Sequence, residues 1–149
     1  MNNTYELFSN SVSCLCRDIR KLEQIEMEKY GLKGPHAQCI LSLSLYPDGL
    51  TATQLCELCG KDKAAVSRTV AELEESGLIR RLEVNGSRYR AALVLTEKGK
   101  SAAAAVRERA KMAVDLAGYG VKPKERDVFF RVLTTLSDNL HEICRGGLK

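Results

Sequence analysis

The chain has 149 residues, enough for one ordinary core, and its 23 Lys and Arg against 19 Asp and Glu give a net charge of +4. It has no Trp, few aromatic residues and no apolar run near membrane-spanning length, which argues against a helical membrane protein. The opening MNNTYELFSN lacks the basic-then-apolar build of a secretory leader, so the expected compartment is the cytoplasm. The positive charge permits nucleic-acid binding but is unevenly spread. Residues 35–96 hold seven basic and seven acidic side chains, whereas 97–149 hold eleven basic and seven acidic ones.

From the N-terminus, 4–30 reads as a helix. Phe8, Val12, Leu15, Ile19 and Leu22 recur at alternating spacings of four and three, a narrow seam of the kind that meets another helix. Ordinary packing within the chain accounts for part of it, and a second subunit is the natural cover for the rest. Gly31 and Gly34 break this helix, and Pro35 can open the next at its first position. That second helix, 35–46, is apolar through Cys39, Ile40, Leu41, Leu43 and Leu45, as expected of a central scaffold, and Pro47-Asp48-Gly49 is a turn.

A third helix starts at Thr51 with Gln54 three residues on, the capping-box spacing, and stops at Gly60. Asp62 can then accept hydrogen bonds from the amides opening a fourth helix, 63–76. Its Val66, Val70 and Leu73 form a buried stripe, and Gly77 with Leu78 fits a Schellman stop. Lys63, Ala64, Ala65, Ser67, Arg68 and Ala71 point outward near the start of this helix. Small side chains let a helix sit deep in a groove, and Lys63 and Arg68 can reach phosphates or guanine edges. A helix-turn-helix presents the first part of its second helix to DNA in this manner, with Lys61 in the turn beside it. The acids Glu72, Glu74 and Glu75 fall late in the helix, away from a duplex. Residues 78–84 and 88–95 flank Asn85-Gly86-Ser87, an Asn-Gly hairpin signal, with Arg88 and Arg90 placed to touch the DNA backbone or minor groove.

The run DKAAVSRTVAELEESGLIRR, followed by a hairpin and LTEKG, resembles the winged helix-turn-helix of the multiple-antibiotic-resistance regulator (MarR) family. The resemblance is strong over the middle of the chain and rests on arrangement alone in the flanking helices. It implies a dimeric transcription regulator whose DNA affinity changes with a small ligand or an oxidant. It carries the recognition-helix roles onto Lys63, Ala64, Ala65, Ser67 and Arg68. At the tip of the wing many members have an Asp and, two residues later, an Arg; here Ser87 and Tyr89 take those places, with arginines at 88 and 90. Family effectors lodge between the dimerisation helices and the reading head, which points to Tyr30, His36 and Tyr46.

Beyond the hairpin, Thr96 caps a helix to about Ala117, with Val106, Ala110, Ala113 and Ala117 as its stripe. Gly118 and Gly120 end it, and Pro123 begins a last helix to about Cys144, where Phe129, Val132, Leu133, Leu136, Leu140 and Ile143 again follow a three-four pattern. The expected architecture is one domain over 1–149, mostly α with a small β-hairpin wing. A winged helix-turn-helix at 35–99 is flanked by dimerisation helices at 1–34 and 100–149.

Six cysteines raise metal and redox chemistry. Cys56-x-x-Cys59 has ligand-like spacing, but Cys14, Cys16, Cys39 and Cys144 supply no second pair, so no metal or other cofactor is expected. Cys56 and Cys59, with Leu55, fall on the inward side of their helix and read as core fillers. Cys14 and Cys16 point to opposite sides of the first helix; Cys14, off the apolar seam, is the candidate redox sensor. Catalytic motifs are absent: no G-x-S-x-G, no phosphate-binding loop and no His-Glu metal motif. The expected function is a dimeric repressor, not an enzyme, bound to an inverted-repeat DNA operator and modulated by an effector. The alternative is a winged-helix protein-interaction module without operator binding. The exposed Lys63/Arg68 and Arg88/Arg90 pairs weigh against it, because a protein-docking face would show apolar residues there.

Overall fold

A computed structural model describes residues 3–84 and 87–147, giving the backbone alone at 83, 84 and 87–90. The described residues form α1 (Thr4–Glu28), α2 (Gly34–Ser44), α3 (Ala52–Cys59), α4 (Lys63–Glu75), β1 (Ile79–Val84), β2 (Ser87–Leu95), α5 (Glu97–Ala117) and α6 (Pro123–Gly146). The chain divides into two compact units, Met1–Ala113 and Val114–Lys149, so α5 begins in the first and ends in the second. No helix among the described residues is long and apolar enough to cross a membrane.

In the first unit α2 is the hub. It packs against α1, α3, α4 and β2, which is why its buried residues are not confined to one stripe; Leu45, expected in the same apolar run, falls just past its end and is exposed. Ala37, Cys39, Ile40 and Leu43 are buried on it, joined by Met27 from the end of α1, Leu55 of α3, and Val66, Val70 and Leu73 of α4. Each large aliphatic side chain removed from water in this way contributes about 1.5–3 kcal/mol. The expected stripe of α4 is therefore the side that fastens it to the scaffold.

The punctuation between helices follows from local chemistry. Thr51 Oγ1 accepts from the Gln54 amide at 3.3 Å while the Gln54 side chain accepts from the Thr51 amide at 2.9 Å, a reciprocal capping box. Gly60 closes α3 in the left-handed conformation, and Asp62 Oδ1 accepts from the Ala65 amide at 2.8 Å to open α4. At the far end of α4 the Leu78 amide donates to Leu73 O at 3.0 Å across Gly77 (φ 70°), completing the Schellman stop.

β1 and β2 pair antiparallel with Ile79 opposite Leu95 and Arg81 opposite Leu93, and the register shifts between Leu82 and Val84. Leu50 adds a single bridge to Leu93, with backbone bonds of 3.0 and 2.8 Å, so the segment before α3 is tied to the sheet. The Asn85-Gly86 turn lies outside the described residues, as do the side chains of Arg88 and Arg90.

Thr96 caps α5 through Oγ1, which accepts from the Gly99 amide at 3.1 Å and itself donates to Gly77 O at 2.6 Å. Gly99 is required by close approach: a Cβ there would lie 1.9 Å from the Leu78 carbonyl oxygen. Farther along, Arg109 of α5 and Lys29 both pair with the buried carboxylate of Glu26 on α1. Those bonds, Lys29 first, hold the Glu26 carboxyl below its usual range. Burial pushes the neighbouring Glu23 carboxyl upward, and its Oε2 has no hydrogen-bond partner among the described residues.

The first half of α1 is different. Phe8, Leu15 and Ile19 of its seam remain exposed, and the buried residues all come from the last turns. In the second unit, α6 starts with Pro123 at its first turn, and Glu125 accepts from the Lys122 amide at 3.0 Å. None of its residues is buried, and Phe129, Val132, Leu133, Leu136, Leu140 and Ile143 stand open along one face.

Candidate nucleic-acid interface

The short α3, the left-handed Gly60 and the Asp62 cap set α4 at the front of the first unit with its buried stripe inward. Lys63, Ala64, Ser67 and Arg68 are exposed on its opening turns, and Lys61 is exposed in the turn before it. Ala65 is half-buried, one step closer to the scaffold than the outward position expected of it. On the helix it shares a row with Thr69, four residues on and also half-buried, at the border between the buried stripe and the open face. Among the described residues Lys61, Lys63 and Arg68 make no ion pair, so all three positive charges remain available to an external anion.

Two of the acids late in α4, Glu72 and Glu74, are turned to internal use, while Glu75 is exposed. Glu72 Oε2 meets His36 Nε2 of α2 at 2.5 Å, and Glu74 accepts two bonds from Arg81 of β1, at 2.9 and 3.1 Å. One ties α4 to α2 and the other to β1, and each takes up a carboxylate of that helix. A third tie comes from α5: Lys98 Nζ donates to Ser76 O at 2.8 Å, at the negative end of α4, while lying 5.8 Å from the centre of the Tyr30 ring. The sequence pattern located the acids, but their partners come from α2 and β1, and spacing in the chain does not reveal them.

The three residues expected around an effector are not brought together. His36 is buried, its Nδ1 accepting from the Lys33 amide at 3.1 Å and its Nε2 directed at Glu72. It is a helix-opening cap and a clamp on α4. Tyr30 lies beneath Lys98, and Tyr46 lines a cavity of about 360 Å³ bounded by the end of α2, the base of the hairpin and α5. A larger cavity of about 670 Å³ separates α1 from the α2 start and the α3–α4 turn. Arg17, Arg20 and Lys21 line it from α1, Lys61 from the turn, and Cys16 and Cys59 contribute thiols. Only the run of basic residues on α1 could have announced this space, and its other wall is supplied by folding.

The cysteines separate by surroundings. Cys14, Cys16 and Cys144 are exposed; Cys39 is buried, and Cys56 and Cys59 are half-buried against the core. Burial pushes the Cys39 thiol up to about 12, with Cys59 adding to the effect. Burial also raises Cys59, opposed by its bond to Ser42 and by the charge of Lys61. Among the described residues no group of three or more His, Cys, Asp or Glu is arranged to hold a metal ion.

Comparison with known proteins places this geometry. Residues 30–88 match the family model described as "MarR family". The transcriptional regulator PA3341 shares 25% identity with the chain at a TM-score of 0.75, covering 91% of this chain and 98% of its own. A MarR transcriptional regulator from Methanosarcina mazei Go1 superposes with a TM-score of 0.81 at 20% identity, over 93% of this chain and 92% of its own. A putative MarR family regulator from Listeria monocytogenes, solved in complex with a 26mer DNA, gives a TM-score of 0.77 at 18% identity over 94% and 95%. No curated protein sequence matches the chain. The resemblance carried by the fourth helix and hairpin therefore holds, and the fold is the winged helix of these regulators.

Proposed function

With its central residues 30–88 matched to the MarR family, we propose that this chain is a sequence-specific DNA-binding transcription regulator, a homodimeric repressor and not an enzyme. The observation that carries the reading is the front of α4, where small side chains stand exposed beside cations unpaired among the described residues, while Glu72 and Glu74 behind them are tied to the scaffold. In this reading Lys63, Ala64, Ala65, Ser67 and Arg68 enter the major groove, Lys61 meets phosphate, and Arg88 and Arg90 reach the backbone or minor groove from the wing. The open apolar faces of α1 and α6 support dimerisation through the terminal helices. Two-fold symmetry then sets two recognition helices roughly 34–36 Å apart on an inverted-repeat operator.

Effector control has its support in the cavity between α1 and the reading head, where Lys61 faces Arg17, Arg20 and Lys21 across open space. An anionic ligand held there neutralises a cation assigned to DNA and alters the set of α4. Cys14, exposed on α1, is the residue assigned to an oxidant response. The cytoplasm is the compartment that this function requires.

Selection of binding sites from random duplexes tests the proposal, followed by titration of the selected site with the wild type and with Arg68→Ala. An enriched inverted repeat, bound by a dimer and weakened by the substitution, is the expected result. Absence of any enriched sequence would instead favour the protein-interaction module.

A further inference from the structure

Arg68 stands on the open face of α4 and makes no ion pair among the described residues. Side chains three and four positions apart on a helix are neighbours, so the residues within its reach along α4 are those at 64, 65, 71 and 72. Ala64, Ala65 and Ala71 offer a guanidinium nothing. Glu72 does, and it lies at the four-residue spacing at which opposite charges pair on an isolated helix. Left to α4 alone, that carboxylate would take up the arginine.

In the fold it goes elsewhere. Glu72 Oε2 lies 2.5 Å from His36 Nε2, and the two partners differ in burial: the His36 side chain is 5% exposed and that of Glu72 57%. With Nδ1 accepting from the Lys33 amide at 3.1 Å, the ring carries its proton on Nε2, and Glu72 is the acceptor. Nε2 has no second partner among the described residues. A buried donor left unpaired costs more than an exposed ion pair one turn apart returns. The order along α4, cation first and carboxylate second, is moreover the weaker one for such a pair. The balance therefore holds Glu72 on His36 and leaves Arg68 open.

We propose that His36 is a positioning residue for DNA reading: by holding Glu72 it keeps the Arg68 guanidinium unpaired and available to the duplex. The inference rests on α4 being the recognition helix, and it gives a buried residue of α2 a part in base reading without touching DNA. Without His36 the carboxylate turns back to Arg68, competes with base edge and phosphate for it, and adds a negative charge beside the groove.

His36→Asn separates the two roles of the ring, since the Asn side-chain oxygen replaces Nδ1 as the cap and nothing replaces Nε2. Titrated against the selected operator, this variant should bind at least about fourfold more weakly, about twofold for each Arg68–Glu72 pair formed in a dimer. Adding Glu72→Gln should restore affinity to within about twofold of the wild type, and His36→Asn should have no further effect in an Arg68→Ala protein. A loss due to damage to the fold would survive the second change. The proposal is overturned if Glu72→Gln restores nothing, or if it raises affinity by the same factor with and without His36. His36→Gln, whose amide donates from near the Nε2 position, should retain more affinity than His36→Asn; the reverse order also overturns the proposal. Magnetic resonance of the Arg68 side chain supplies a readout without DNA. Its Nε–H should exchange as fast as that of a free arginine in the wild type, more slowly in His36→Asn, and fast again once Glu72→Gln is added. Slow exchange in the wild type, a measurement that stands even where His36→Asn does not fold, or no slowing in a folded His36→Asn protein refutes the positioning role. The expected exchange pattern in a wild type that binds no DNA would instead refute the reading of α4.

Discussion

Replacing Gly99 by Ala sets two effects of known sign against each other. Gly99 is helical, and Ala in a helix interior is favoured over Gly by about 0.8–1.0 kcal/mol. Against that, the added Cβ would lie 1.9 Å from Leu78 O and 2.9 Å from Leu78 C, both backbone atoms that no rotamer change can move aside. The Leu95 side chain is a further 3.2 Å contact. Relief requires the start of α5 to shift away from the end of α4. The same Leu78 oxygen accepts from the Thr96 amide at 3.0 Å and from Thr96 Oγ1 at 3.2 Å, so the shift also strains the cap of α5. Overpacking of this kind costs about 1–3 kcal/mol, and each weakened hydrogen bond adds about 0.5–1.5 kcal/mol. After the propensity gain is subtracted, a net loss of about 1–5 kcal/mol remains. Urea unfolding followed by circular dichroism, at one fixed protein concentration because of the proposed dimer, measures it. Gly146→Ala is the control: it is also helical, no atom lies within 4 Å of its added Cβ, and it should be neutral or slightly stabilising. A Gly99→Ala protein as stable as the wild type would refute the close-approach argument.

Arg68→Ala should cost about 1–3 kcal/mol of operator affinity and relax preference at one base position, as judged by competition titrations with variant sites. If Lys61, Lys63, Arg68, Arg88 and Arg90 all met phosphate in both subunits, the slope of log K against log salt would reach roughly −9; the measured slope should be shallower, and one near zero contradicts the interface. Glu26 stabilises the fold where it is ionised, since its folded-state carboxyl is held low: the contribution is present above the ordinary value of about 4.3 and disappears as the pH falls through the lowered value. Glu26→Gln should accordingly reduce stability by about 1 kcal/mol at pH 7, a modest figure because Lys29 and Arg109 keep solvent contact, and the difference in urea midpoint should narrow below pH 4. In timed alkylation read by mass spectrometry, Cys14 should label before Cys59, and Cys39 last; early labelling of Cys39 in the folded protein would contradict its burial.

Much of this architecture was legible locally. The Thr51/Gln54 box, Gly60, the Asp62 cap and the Gly77-Leu78 stop are decided by residues within a few positions of one another, so the chain order alone specifies where α3 and α4 begin and end. The stripe of Val66, Val70 and Leu73 likewise fixes which face of α4 is buried, and by difference which face carries Lys63 and Arg68. Hydrophobic period and capping are short-range signals, and the bounds and buried face of α4 rest on them. Tertiary structure alone decided the contacts between distant elements. His36 joins Glu72, Lys98 reaches Ser76 past Tyr30, and Arg109 closes on Glu26, each across an interface whose register depends on how whole helices cross. For the same reason Tyr30, His36 and Tyr46, grouped by approximate position in the chain, separate in space, while Arg80, Lys100 and Arg107 gather around one cavity. A helix rotates its side chains by about 100° per residue, so direction within an element is readable from sequence. The meeting of two elements is set by the packing of every residue between them.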